Sequence, residues 1–169
     1  MRLTKADAAK RRKMIQSLVG ASIVDKNGVE VHAVEKLRMA FALMEERGVI
    51  AEGRWWCCER CGKRNMQEVF ETVPRGKPLP FGYCFFDDDD WVNYAVNRYE
   101  FLVLTFKSFA GSHKAVGMIV TDCLDSLGLE WKWDGSEDQE IQVCMGEDTG
   151  VNAKWRRSGR CVESMKGQT

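Results

Sequence analysis

Trp55-Trp56-Cys57-Cys58-Glu59-Arg60-Cys61-Gly62 gathers three of the chain's seven cysteines and two of its six tryptophans into one short stretch. Its flanks decide the fold. Upstream, Val49 to Trp56 alternates loosely between apolar and polar residues and reads as a short strand. Downstream, Met66, Val69, Phe70 and Val73 recur at helical spacing until Pro74, which lacks the amide needed to continue a helix. The cysteines therefore occupy a strand-to-helix junction, with the helix expected after Gly62.

Working outward, a helix from about Val31 to Arg47 carries Val31, Val34, Leu37, Phe41 and Met44 on one face, and Gly48 is placed to close it. Ahead of it, Ala8 to Val19 has a helical stripe of Met14, Ile15, Leu18 and Val19, and Asn27-Gly28 marks a turn. Beyond the junction, Phe81 to Phe86 returns as a strand, the four carboxylates Asp87 to Asp90 suit the first turn of a helix at Trp91 to Asn97, and Tyr99 to Phe106 is an apolar strand. Ser112 can cap a helix whose stripe runs from Val116 to Leu127 and ends at Gly128. Leu129 to Trp133 and Glu140 to Met145 read as an antiparallel pair joined through Asp134-Gly135. This order predicts a single α+β domain with a mixed sheet of four or five strands and helices on at least one face. Within it, residues 1–48 form a helical segment packing on the core, 49–145 the core with the cysteine cluster, and 146–169 a basic tail holding Trp155.

Composition narrows the class. The formal charge is zero and 44% of residues are hydrophobic, as in an ordinary globular protein. The balance hides a basic start, with Arg2, Lys5, Lys10, Arg11, Arg12 and Lys13 against Asp7, and an acidic stretch from Asp87 to Glu140. No aromatic residues interleave with the basic ones, which argues against nucleic acid as the partner. There is no long apolar run and no signal-peptide pattern, and seven dispersed cysteines do not make a secreted disulfide framework. The expected compartment is the cytoplasm.

Cys58-x-x-Cys61-Gly62 has the form of a metal knuckle, in which two thiolates reach one tetrahedral zinc and the glycine lets the backbone turn its amides toward the sulfurs. One knuckle is half a site. The remaining ligands are sought at Cys57, at Cys84, at a histidine, or at a carboxylate such as Asp87, where the next strand ends. A rival reading is a redox dithiol presented at a helix start. Cys84, Cys123 and Cys144 lie on apolar stripes and read as buried thiols. His32 and His113 each stand at a helix start and read as cap or surface residues, and no hydrolytic triad, zincin motif or phosphate loop is present.

Trp56-Cys57-Cys58-x-x-Cys61-Gly62, Gly82-Tyr83-x-Phe85-Phe86 with following acidic residues, and Gly128-Leu129-x-Trp131-x-Trp133-Asp134-Gly135 with Ile141-x-Val143 together resemble a bacterial family of uncharacterised domains of about this length. The resemblance spans Arg54 to Val143 and implies one integrated domain, with no activity attached. In that family the second motif continues with a histidine and a Gln-Asp pair, where this chain has Asp87 and Asp89. A ligand or catalytic role of that histidine would have no counterpart here.

The functional expectation is a small intracellular protein of bacterial or phage origin that binds another protein, as an inhibitor or immunity-type protein does, and carries a structural zinc or cysteine-cluster site. Trp55, Trp91 and Trp155 are the candidate interface residues. The competing class is a metal-dependent or thiol-redox enzyme using Cys57, Cys58, Cys61 and the Asp87 to Asp90 carboxylates.

Overall fold

The computed structural model describes residues 32–97, 99–146, 154–156 and 160. The helix expected at Ala8 to Val19, the Asn27-Gly28 turn and most of the basic C-terminal stretch lie outside the described residues. The apolar spacing of Val34, Leu37, Phe41 and Met44 produces α1 (Ala33–Glu46), and Gly48 follows it at φ +82°, a left-handed conformation that costs glycine little. The chain continues through β1 (Val49–Gly53), α2 (Glu59–Glu71), β2 (Gly82–Phe86), α3 (Asp88–Ala95), β3 (Phe101–Ser108), α4 (His113–Ser126), β4 (Trp131–Lys132) and β5 (Ile141–Cys144).

The strands form one five-stranded sheet in the order β1-β2-β3-β5-β4. β1 and β2 are parallel, with Val49 opposite Gly82 and Gly53 opposite Phe86, and every other neighbouring pair is antiparallel. The fold is therefore a single α+β domain on a mixed sheet. Two parallel neighbours need a crossover, and α2 supplies it, so β1-α2-β2 is a β–α–β unit inside an otherwise antiparallel sheet.

Strand alternation divides the interior in two. Cys84 and Phe86 of β2 face a larger core with Leu37, Phe41 and Met44 of α1 and Val116, Val120 and Leu124 of α4. Tyr83 and Phe85 face the other way, into a smaller cluster of Ile50, Trp55, Trp56 and Met66, with Cys61 and Val69 of α2 packed against it. Each fully buried side chain of this size stabilises the fold by about 1.5–3 kcal/mol through area removed from water.

The three tryptophans named as candidate interface residues lie in or against the interior. Trp55 is fully buried in the smaller core, and Trp91 is buried in the larger one, stacked on Phe86 with ring centroids 5.7 Å apart. Trp155 is half-buried, edge-on to Phe41 and Phe86, with the Arg38 guanidinium 4.9 Å from its ring centre. Gly53 makes room for it, because a Cβ there would lie 2.2 Å from the Trp155 ring. Large aromatic area found more favourable burial inside than at an interface.

Two helices start earlier than their apolar stripes suggest: α2 at Glu59, within the cysteine motif, and α3 at Asp88 rather than Trp91. Among the described residues no helix is long and apolar enough to cross a membrane.

Candidate metal centre

The site begins where β1 ends. Arg54 and Trp56 adopt φ of 52° and 60°, a region that side chains other than glycine rarely occupy, so the surroundings must hold the turn in place. The Trp55 amide donates to the Phe86 carbonyl at 2.9 Å, and the Asp88 amide donates to the Trp56 carbonyl at 2.9 Å. Arg54 Nε donates to Asp88 Oδ1 at 3.0 Å. The turn is thus laced to the end of β2 and the start of α3. From inside the smaller core, Trp55 Nε1 donates to the Gly62 carbonyl at 3.0 Å and ties the turn to the first coil of α2.

This lacing leaves Cys57 exposed and makes Cys58 the residue that caps α2, with Cys61 in the helix's first turn, half-buried. The Sγ atoms of Cys57, Cys58 and Cys61 all lie within 4.8 Å of one another, and Cys57 and Cys58 are 3.7 Å apart. Four sulfurs around a tetrahedral zinc with bonds near 2.3 Å would stand about 3.8 Å from each other. The Cys57–Cys58 pair already has that spacing, and the other separations exceed it by no more than roughly 1 Å.

The electrostatics set Cys58 apart from Cys57. The Cys61 backbone amide, then the Cys61 and Cys57 thiols, hold Cys58 below the ordinary thiol range, and the Arg60 amide adds to this. The partial positive end of α2 acts in the same direction. Hydrogen bonds to Cys61 and Cys58 in turn push Cys57 up to about 11. Such a cluster is a soft, sulfur-rich donor set suited to zinc or another thiophilic cation.

Gly62 serves a different purpose from the one expected of a knuckle glycine. It lies within α2, where its amide donates to the Cys58 carbonyl at 2.9 Å, and a Cβ would meet the Phe85 ring at 2.5 Å. Glycine here lets α2 approach β2; it does not turn the chain.

Two expected ligands are elsewhere. Cys84 points to the opposite side of the sheet, into the larger core toward Cys123, where burial pushes its thiol far up. The reason is strand alternation: only odd-numbered residues of β2 face α2. Asp87 caps α3 instead, accepting from the Asp90 amide at 2.9 Å while Asp90 Oδ2 accepts from the Asp87 amide at 3.1 Å. Asp87 lies close to the cysteines along the chain path, but its carboxylate is not among the converging donor atoms. Cys123 is buried in α4 and Cys144 is half-buried in β5. Neither histidine joins the cluster: His32 precedes α1, and His113 Nδ1 accepts from the Ser108 amide at 2.8 Å.

A charged group at the start of α2 was not read from the sequence. Glu59 pairs with Lys63, which holds its carboxyl below the usual range. Glu140, reached by Thr105 Oγ1 at 3.3 Å, is pushed up by burial and then by Glu59. The four-residue spacing of Glu59 and Lys63 on a helix was a legible signal. Glu140 is separated from Glu59 by most of the sheet in sequence and carried none. Trp56 Nε1, nine-tenths buried directly before the cysteines, has no hydrogen-bond acceptor among the described residues.

A family model described as a domain of unknown function (DUF6891) matches residues 3–157, and the chain belongs to that family. No curated protein and no solved structure matches the chain.

Proposed function

We propose that this DUF6891 domain is a small thiolate metal-binding protein in which Cys57, Cys58 and Cys61 hold one zinc ion. The observation that supports the reading is the convergence of the three Sγ atoms within 4.8 Å at the start of α2. Three protein ligands leave a fourth position, on the side of the exposed Cys57, for a donor from outside the chain. A protein partner of the inhibitor or immunity type would engage the domain there rather than through its tryptophans. The ion itself fastens the end of β1 to α2.

The open fourth position also favours a second reading, since catalytic zinc sites retain one while purely structural sites close it. In that reading a bound ion would supply Lewis-acid activation of a water, and Glu59, which follows Cys58 in the chain, is a candidate proton acceptor. The expected compartment of either protein is the cytoplasm, where thiols stay reduced.

The test is elemental analysis of the purified full chain, combined with thiol counting before and after chelation. The expected result is about one zinc per chain, three thiols that become reactive only on chelation, and loss of the ion in Cys58→Ser and Cys61→Ser. Cys84→Ala should keep the ion. A metal-free protein that gains none from added zinc would rule the reading out.

A further inference from the structure

We propose that Cys58 and Cys61 also form a redox-active dithiol that reduces disulfides when the cluster is metal-free, so that bound cation and Cys58–Cys61 disulfide are alternative states of one site. The inference uses the same cysteines as the metal reading but does not need zinc ever to bind. It rests on how the chain presents the pair. Cys58 is the residue before the first turn of a thirteen-residue helix, Cys61 sits one turn further on, packed against the smaller core, and their Sγ atoms lie within 4.8 Å of each other. The helix is the crossover of a parallel β–α–β unit, so the sulfurs stand at the carboxyl end of β1, the end of such a unit where ligands ordinarily meet the chain. The strained Arg54 and Trp56 backbone fixes the presenting turn before any substrate arrives.

The three sulfurs have unequal roles in this geometry. Cys58 is half-exposed at the open end of the helix while Cys61 is packed against the smaller core, which makes Cys58 the attacking group. Its thiolate bonds to one sulfur of a substrate disulfide, and the other sulfur leaves as a thiolate and takes a proton from water. Cys61 then loses its proton and attacks Cys58 Sγ, forming the Cys58–Cys61 bond and releasing the second substrate thiol. One substrate S–S bond is broken, one protein S–S bond is formed, and two electrons pass from the protein to the substrate. Cys57 is fully outside the helix and adjoins Cys58 along the chain, so closing a ring with Cys58 would require an eight-membered disulfide loop. The Cys58–Cys61 closure spans a helical turn instead and is the expected product.

The recognised chemistry is an accessible disulfide, from either a small thiol or a protein. The full chain is chelated, reduced, freed of reductant and treated with oxidised glutathione, and the products are mapped by peptide mass spectrometry. A Cys58–Cys61 disulfide is expected in the natural sequence. Cys61→Ser should trap one glutathionyl group on Cys58, whereas Cys58→Ser should lose the internal disulfide and leave Cys61 largely unmodified. Circular dichroism checks that each variant is folded, and Cys61→Ala provides the same trap if the serine variant is not. Insulin disulfide reduction driven by dithiothreitol forms the protein-disulfide arm. Reaction with either substrate supports the proposal and identifies its source. Reaction with neither, or trapping on Cys57 in place of Cys58, overturns it. Zinc content is measured on the untreated protein, so a chain that holds zinc but forms no disulfide refutes only this proposal, and one that cycles its dithiol without ever holding zinc refutes only the metal reading.

Discussion

At Gly62 a single hydrogen in place of a methyl group decides how closely α2 lies on the sheet. Gly62→Ala would gain about 1 kcal/mol of helix propensity. The new Cβ, however, would sit 2.5 Å from two atoms of the Phe85 ring, which is fully buried and has no free space to move into. Overpacking of this kind costs about 1–3 kcal/mol, so a net loss of up to about 2 kcal/mol is expected in urea unfolding. A turn-forming glycine would instead have shown its loss first in metal binding. Asp90 offers a pH test. Burial, then the Asp87 charge, pushes its carboxyl up to about 7 in the folded chain. A carboxyl raised on folding favours the native state most fully below its ordinary unfolded value and loses that contribution as pH rises through about 7. The melting temperature should therefore decline between pH 4 and pH 8 by more in the natural sequence than in Asp90→Asn, which keeps an oxygen for the Asp87 amide. Equal slopes would show that Asp90 is not the responsible group. The cysteine spacing was legible at this scale, because Cys57, Cys58 and Cys61 are neighbours along the chain. The parity that turns Cys84 away was legible in principle too, but only once β2 is known to be flanked on both faces.

The helices show which parts of the sequence speak plainly. Ser112 was read as a cap and does cap α4, its Oγ accepting from the Ala115 amide at 3.1 Å. The Asp87 to Asp90 run was read as helix-start chemistry and forms a reciprocal capping box. Asp87→Ala is expected to cost about 1 kcal/mol of stability, the usual effect of losing such a cap, while leaving zinc stoichiometry unchanged. A fall in bound metal with intact folding would return Asp87 to the ligand set. The β4–β5 hairpin was likewise anticipated, since Asp134-Gly135 marks its turn. The parallel β1–β2 pair was not. Whether two strands separated by a helix become neighbours is settled by hydrogen bonds such as the Trp55 amide to the Phe86 carbonyl, and those join residues with no local pattern in common. The same holds for Glu140 beside Glu59.

At the level of the molecule, the sheet separates a large interior built with α1, α3 and α4 from a small one roofed by α2. Chelation should consequently lower the melting temperature by roughly 8–16 °C without collapsing the fold, because a ligand present at about a thousandfold excess over its dissociation constant adds about 4 kcal/mol. A scanning calorimeter would record this, and a chelated protein that unfolds completely at room temperature would contradict it. The unequal interiors carry a further consequence for how the protein opens. Among the described residues β1 is an edge strand with one neighbour, and the layer above it relies on few apolar side chains. In native-state hydrogen–deuterium exchange, the amides of α2 should report a partial opening of lower free energy than the global transition, while those of β3 and α4 exchange only through complete unfolding. The thiols ride on that looser lid, so whatever occupies them, an ion or a disulfide, sets how often the lid lifts.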